Sequence, residues 1–155
     1  MENRLETALE DASKARADLY RAFFVAVEKR LGRESAIDVL KEAVRNWGAG
    51  LGDGLKGCRI ADLPAVFARQ PDGGKLFQPR VDRLDDAGFD VQFEACPLKQ
   101  RWIEAGLSDS DVELFCEIAA EADYGTLEAA GFDVSIDLWK SGGTGCCNLR
   151  IRPIK

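Results

Sequence analysis

Five cysteines, Cys58, Cys96, Cys116, Cys146 and Cys147, are the side chains best suited to covalent or metal chemistry, and the chain has no histidine. Without imidazole, Ser-His-Asp and Cys-His systems, HExxH zinc sites and histidine acid–base work are excluded. A reaction must therefore draw on thiols, carboxylates, Lys, Tyr or backbone dipoles. Cys96 has the most informative address, because an alternating segment, Phe89 to Ala95, runs into it and Pro97 follows. A thiol between a strand and a helix start meets the positive end of the helix dipole and unpaired N–H groups, and both favour the thiolate. The plainer alternative is a small buried side chain at a tight junction. Cys116 falls in mid-helix. Strand alternation turns Cys147 toward the apolar face and Cys146 away from it. Folding Cys96, Cys116 and Cys147 together would create one thiol-lined cavity between helices and sheet.

Zinc held by Cys96, Cys116 and Cys147 with a carboxylate is the other use of the same sulfurs. The close Cys-x2-4-Cys spacing of zinc knuckles is missing, so the expectation is no metal and no other cofactor. Proton transfer would fall to a carboxylate, and Glu94, Glu117, Asp123 and Glu128 lie in or beside the cysteine-bearing segments. A carboxylate desolvated in a cavity has a raised pKa, which suits acid–base work. Asp123 and Tyr124 rank first, on the expectation that they sit in a loop just past the Cys116 helix. Arg101, near the helix that follows Cys96, offers a cation for an anionic substrate. Tyr124, Arg101 and Glu94 thus form the expected substrate-binding set, and Cys96, Cys116, Cys147 and Asp123 the catalytic one.

Elements of several kinds must position these residues. Leu5, Leu9, Ala12, Leu19, Phe23, Val27 and Leu31 recur at helical spacing up to Gly32, predicting one long amphipathic helix with that stripe on the core. Ile37, Leu40, Val44 and Trp47 mark a second helix, which runs into Gly48-Ala49-Gly50-Leu51-Gly52-Asp53-Gly54. A dinucleotide fingerprint needs a strand before its glycines and a helix after them, so this run reads instead as a helix slimmed for close backbone packing. Asp62 is placed to cap a short helix containing Pro64, and residues 70–74 read as a turn. Phe89, Val91, Phe93 and Ala95 alternate after a turn at 85–88, predicting a hairpin with Val81 and Leu84. Two helices follow, the second opened by Ser108-x-x-Asp111. A second hairpin pairs 132–138 with 146–152 across Ser141-Gly142-Gly143-Thr144-Gly145.

The fold class is therefore α+β: an antiparallel sheet of about four strands in two hairpins, covered by helices, with a helical N-terminal half. One domain is expected over 1–155, mostly helical through 1–70, with hairpins and intervening helices over 77–155. The chain has 155 residues, 46% hydrophobic and 31% charged, with net charge -6, enough for a real core and without the basic surplus that nucleic acid demands. No apolar run is long enough to span a bilayer, and the charged N-terminal stretch is unlike a signal peptide. With widely spaced cysteines in odd number, a reducing, cytoplasmic setting is expected. The long first helix could also pack on its twin in a homodimer.

Phe89-Asp90-Val91-Gln92-Phe93-Glu94-Ala95-Cys96-Pro97, Gly106-Leu107-Ser108, Leu114-Phe115-Cys116 and Gly143-Thr144-Gly145-Cys146-Cys147-Asn148-Leu149 carry a resemblance. Over residues 80–152 the chain resembles the L-2-amino-thiazoline-4-carboxylic acid hydrolase-like family, and its element order is similar to that of 4-vinyl-reductase-like small-molecule-binding domains. The resemblance picks out Cys96, Cys116 and Cys147 and leaves Cys58 and Cys146 as extra. Where the family tends to place an Asp three residues after its second Cys, this chain has Ala119, and its next Asp is Asp123. The resemblance implies hydrolytic opening of a small cyclic amidine to N-carbamoyl-L-cysteine. In its covalent version Cys96 is the nucleophile, with Asp123 or Glu94 moving protons. The other implied reading is a non-catalytic domain that binds or senses a small molecule.

Overall fold

The structure, a computed structural model, describes residues 2–68 and 72–154. Helix α1 (Glu2–Leu31) meets α2 (Arg33–Gly52) at Gly32, whose φ of 86° places the break where a Cβ would be strained. A 3-10 turn at Ile60–Asp62 leads into α3 (Leu63–Ala68). Asp62 does not cap α3. Its carboxylate reaches back to accept the Arg59 backbone N–H at 2.9 Å and pairs with the Arg59 guanidinium. Gln70 and Pro71 of the expected 70–74 turn lie outside the described residues.

The remaining elements are β1 (Pro79–Asp85), β2 (Gly88–Phe93), α4 (Pro97–Glu104), α5 (Asp109–Ala129), β3 (Phe132–Asp137) and β4 (Asn148–Pro153). They confirm an α+β fold with a helical N-terminal half. The four strands form one antiparallel sheet in the order β1-β2-β4-β3, so the two hairpins join through β2 and β4. Asp85 closes the first hairpin by accepting the Ala87 N–H at 2.8 Å, and Ser108 caps α5 by accepting the Asp111 N–H at 3.2 Å.

The glycine run finishes α2 and lets it lie against α5. A Cβ on Gly48 would come within 2.2 Å of the Ala122 carbonyl oxygen, and one on Gly52 within 2.4 Å of that of Thr126. Thr126 Oγ1 donates to the Gly48 carbonyl at 2.9 Å across this contact. Backbone proximity, rather than phosphate binding, accounts for these glycines.

One apolar cluster joins Phe24, Leu40, Trp102, Phe115 and Ile118 among the helices, and a second joins Leu63, Phe89, Val91, Leu127, Leu149 and Ile151 against the sheet. Helix α1 contributes less of its predicted stripe than its spacing suggests. Ala17 and Phe24 are buried, while Leu5, Leu19, Phe23 and Leu31 are exposed. Helices α2, α4 and α5 all contact α1, α4 through Trp102 at Ala17 and α5 through Phe115 at Phe24, which covers that side and leaves Leu19 and Phe23 exposed. No helix among the described residues is long and apolar enough to cross a membrane.

Candidate functional site

Cys96 ends the extended segment after β2 and caps α4, with Pro97 in the first turn. Its backbone is extended (φ -147°, ψ 111°), which directs Sγ back over the helix start to accept the Lys99 N–H at 3.5 Å. The sequence places the thiol at this address correctly. Its ionisation runs the other way from the expectation. The neighbouring Cys146 thiol and burial push Cys96 well above the ordinary thiol value, outweighing the N–H contacts from Lys99 and Leu98. Cys116, buried on α5, is pushed up to about 12, chiefly by burial.

Cys146 is the sulfur that strand alternation misplaces. Residue Phe93 of β2 faces two residues at once: it accepts the Cys146 N–H and donates to the Cys147 carbonyl, both at 2.9 Å. Two residues opposing one is a bulge, which breaks the alternation just before β4 begins. Both side chains then turn to the same side, and their Sγ atoms lie 3.1 Å apart. Cys146 is buried and its thiol is also raised, first by Cys147. Lys99 fastens this segment to α4 by donating its ammonium to the Gly145 carbonyl, with Nζ 5.4 Å from the centre of the Trp139 ring.

Cys96, Cys116, Cys146 and Cys147 line one cavity of about 250 Å³. Phe77, Phe93 and Trp102 supply aromatic walls, and Trp102 is fixed by donating its indole N–H to the Ala17 carbonyl at 3.0 Å. Among the described residues no group of three or more His, Cys, Asp or Glu side chains is disposed as a metal site.

Asp123 lines the same cavity from α5. It lies within the helix, since α5 continues to Ala129, and not in a loop past it. Seven residues separate it from Cys116, two helical turns, so both face the same way. The carboxylate has no hydrogen-bond or ion-pair partner among the described residues, and burial pushes its pKa up to about 6 while Arg16 pulls it down.

The other three expected residues lie elsewhere. Tyr124 packs against the sheet-side cluster with the Arg45 guanidinium 5.6 Å from its ring centre, because the next helical position rotates it away from Asp123. Arg101 pairs with Asp18 of α1 at 2.8 Å. Glu94 is exposed and pairs with Arg80 of β1. Among the lining residues that sequence reasoning did not place at the cavity are Cys146, Arg16 and Trp47. Only the bulge brings in Cys146. Arg16 and Trp47 arrive through the packing of α1 on α2, which no local pattern encodes.

A half-helical α+β domain whose helices and sheet enclose a small, thiol-rich, partly polar cavity is the class of protein that the fold and site define. The family model for L-2-amino-thiazoline-4-carboxylic acid hydrolase matches residues 12–151, and the chain belongs to that family. No curated protein matches it in sequence. In fold it is similar to a trafficking protein particle complex subunit 3 from Naegleria fowleri, covalently bound to palmitic acid. That similarity has a TM-score of 0.55 at 15% identity, covering 93% of this chain and 96% of the other.

Proposed function

We propose that this protein is a hydrolase that opens a small cyclic amidine, of the kind the family name describes, with Asp123 as the general base in the thiol-lined cavity. The observation that carries this reading is the placement of Asp123: an unpaired carboxylate facing the same cavity as four cysteines, in a chain of this family. A cavity of about 250 Å³ is smaller than the roughly 300–1,000 Å³ pockets that hold drug-sized ligands, and suits a five-membered ring.

Asp123 takes one proton from a water as that water bonds to the amidinium carbon between nitrogen and sulfur. The carbon–sulfur bond then breaks, and the second water proton passes to the departing sulfur. A urea carbonyl and a free thiol result. Cys96, Cys116 and Cys146 remain protonated at neutral pH, so they bring no like charge against the negative charge growing on that sulfur. The raised thiols favour water over Cys96 as the nucleophile. Incubation with L-2-amino-thiazoline-4-carboxylate, followed by mass spectrometry for N-carbamoyl-L-cysteine, tests the reading. Product formation that disappears in Asp123→Asn is expected, and no turnover by the unaltered chain overturns it.

A second reading, ligand binding without catalysis, draws support from the fold similarity to a trafficking complex subunit covalently bound to palmitic acid. Tight binding of the thiazoline without product would favour it.

A further inference from the structure

We infer that Arg16 sets the specificity of this site by holding a carboxylate carried on the substrate ring, an assignment that rests on the hydrolase reading above. Arg16 is the one Lys or Arg among the described residues that lines the thiol cavity. Its guanidinium lies 5.8 Å from the centre of the Trp47 ring, and Trp47 lines the cavity as well. A guanidinium held beside an indole by cation–π attraction spends none of its N–H groups on that contact, so they can meet a carboxylate with two parallel hydrogen bonds.

Arg16 also lacks a carboxylate partner among the described residues. Arg33, Arg45, Arg59, Arg80, Arg83, Arg101, Arg150 and Arg152 each pair with an acid. The cation at the cavity is thus left for a ligand. Arg16 acts electrostatically on Asp123, so the cavity presents opposite charges to one occupant. A ring with a cationic amidinium and an anionic carboxylate satisfies both at once. A ring lacking the carboxylate leaves Arg16 without its anion.

The test compares turnover of L-2-amino-thiazoline-4-carboxylate with that of 2-amino-2-thiazoline in the unaltered chain, Arg16→Met and Arg16→Lys. The unaltered chain should prefer the carboxylated ring, and Arg16→Met should cut that preference in kcat/KM by about tenfold to a hundredfold. Most of the loss should fall in KM, with Arg16→Lys between the two. An unchanged preference overturns the assignment. Because Arg16 is exposed, neither substitution removes a core contact.

A second measurement does not depend on turnover. Thiazolidine-4-carboxylate and thiazolidine are titrated against intrinsic tryptophan fluorescence. Selective weakening of the carboxylated probe in Arg16→Met supports the inference even if no hydrolysis occurs, and equal weakening of both probes overturns it.

Discussion

Gly125 of α5 sits so close to Arg45 of α2 that a Cβ on the glycine would lie 2.1 Å from the Arg45 carbonyl oxygen. Neither partner can yield, because both belong to helix backbones. Asp123 lies two residues before this contact and Trp47 two residues after Arg45, so the crossing sets the distance between two walls of the cavity.

Gly125→Ala should therefore destabilise the fold by about 3 kcal/mol, the upper part of the usual range for overpacking. Thermal unfolding should show a fall of several degrees. Gly50→Ala is the matched control. Gly50 lies in α2, the other helix of the crossing, with open space around it, so alanine there should stabilise by about 0.5–1 kcal/mol. A Gly125→Ala melt equal to the unaltered one would show that the helices part easily and that their spacing does not hold the site.

Asp123 gives a pH prediction with a fixed sign. The general base must be ionised, and its pKa is raised to about 6. The rate of ring opening should rise about tenfold per pH unit below that value and level off above it. Glu94 is exposed and outside the cavity, so Glu94→Gln should leave this profile unchanged. A flat rate between pH 5 and 7 would remove Asp123 from the reaction.

The same carboxylate should cost stability. Its pKa is about 6 in the folded chain against an ordinary 3.8, so the folded state holds the proton more tightly. Its stability therefore falls as pH rises from about 4 to about 6, and the loss is complete above that window. A rise of this size corresponds to about 3 kcal/mol. Asp123→Asn should melt higher than the unaltered protein at pH 7.5, with the difference shrinking toward pH 4. Loss of turnover together with a gain in melting temperature would separate a functional cost from a folding defect.

The sequence reading and the structure agree at most places where one local rule governs, the Asp62 cap of α3 being an exception because its carboxylate turns back to Arg59. Period two revealed β2 and β3, Gly32 ended α1, Ser108 capped α5, and the slim end of α2 followed from its glycines. They part where tertiary packing decides. Helical spacing placed Leu19 and Phe23 on the buried stripe of α1, but spacing gives a stripe without saying which neighbour covers it. Alternation sent Cys146 outward, because a bulge is fixed by the partner strand at Phe93 and leaves no mark in the bulged segment itself. Arg101 and Glu94 lie close in sequence to Cys96, but their surface partners Asp18 and Arg80 draw them off. Arg16 stands eighty residues from Cys96 in sequence and enters the cavity only through the packing of helices.

Lys99 links the start of α4 to the bulge through the Gly145 carbonyl and rests on Trp139. Lys99→Met keeps most of the stem and removes the donor. The segment that carries Cys146 should loosen, and labelling of Cys146 by a small alkylating reagent should speed up by about three- to tenfold at constant pH. Peptide mass spectrometry can follow that residue separately from Cys58. Equal labelling rates in the two proteins would mean that the bulge is held by its pairing with Phe93 alone.

Cys96→Ser distinguishes the two routes through the reaction. If Cys96 attacked the ring carbon, serine in its place would remove more than about a hundredfold of the rate, because an alcohol is a far weaker nucleophile. Its raised thiol argues for a supporting place instead. Serine still fills the junction and can accept the Lys99 N–H, so the variant should fold and retain turnover within about tenfold of the original. Quenched mixtures should contain no enzyme-bound adduct by intact-protein mass spectrometry. A hundredfold loss, or an adduct whose mass matches the opened ring on Cys96, would restore the covalent route and recast Asp123 as the base that strips the thiol of its proton.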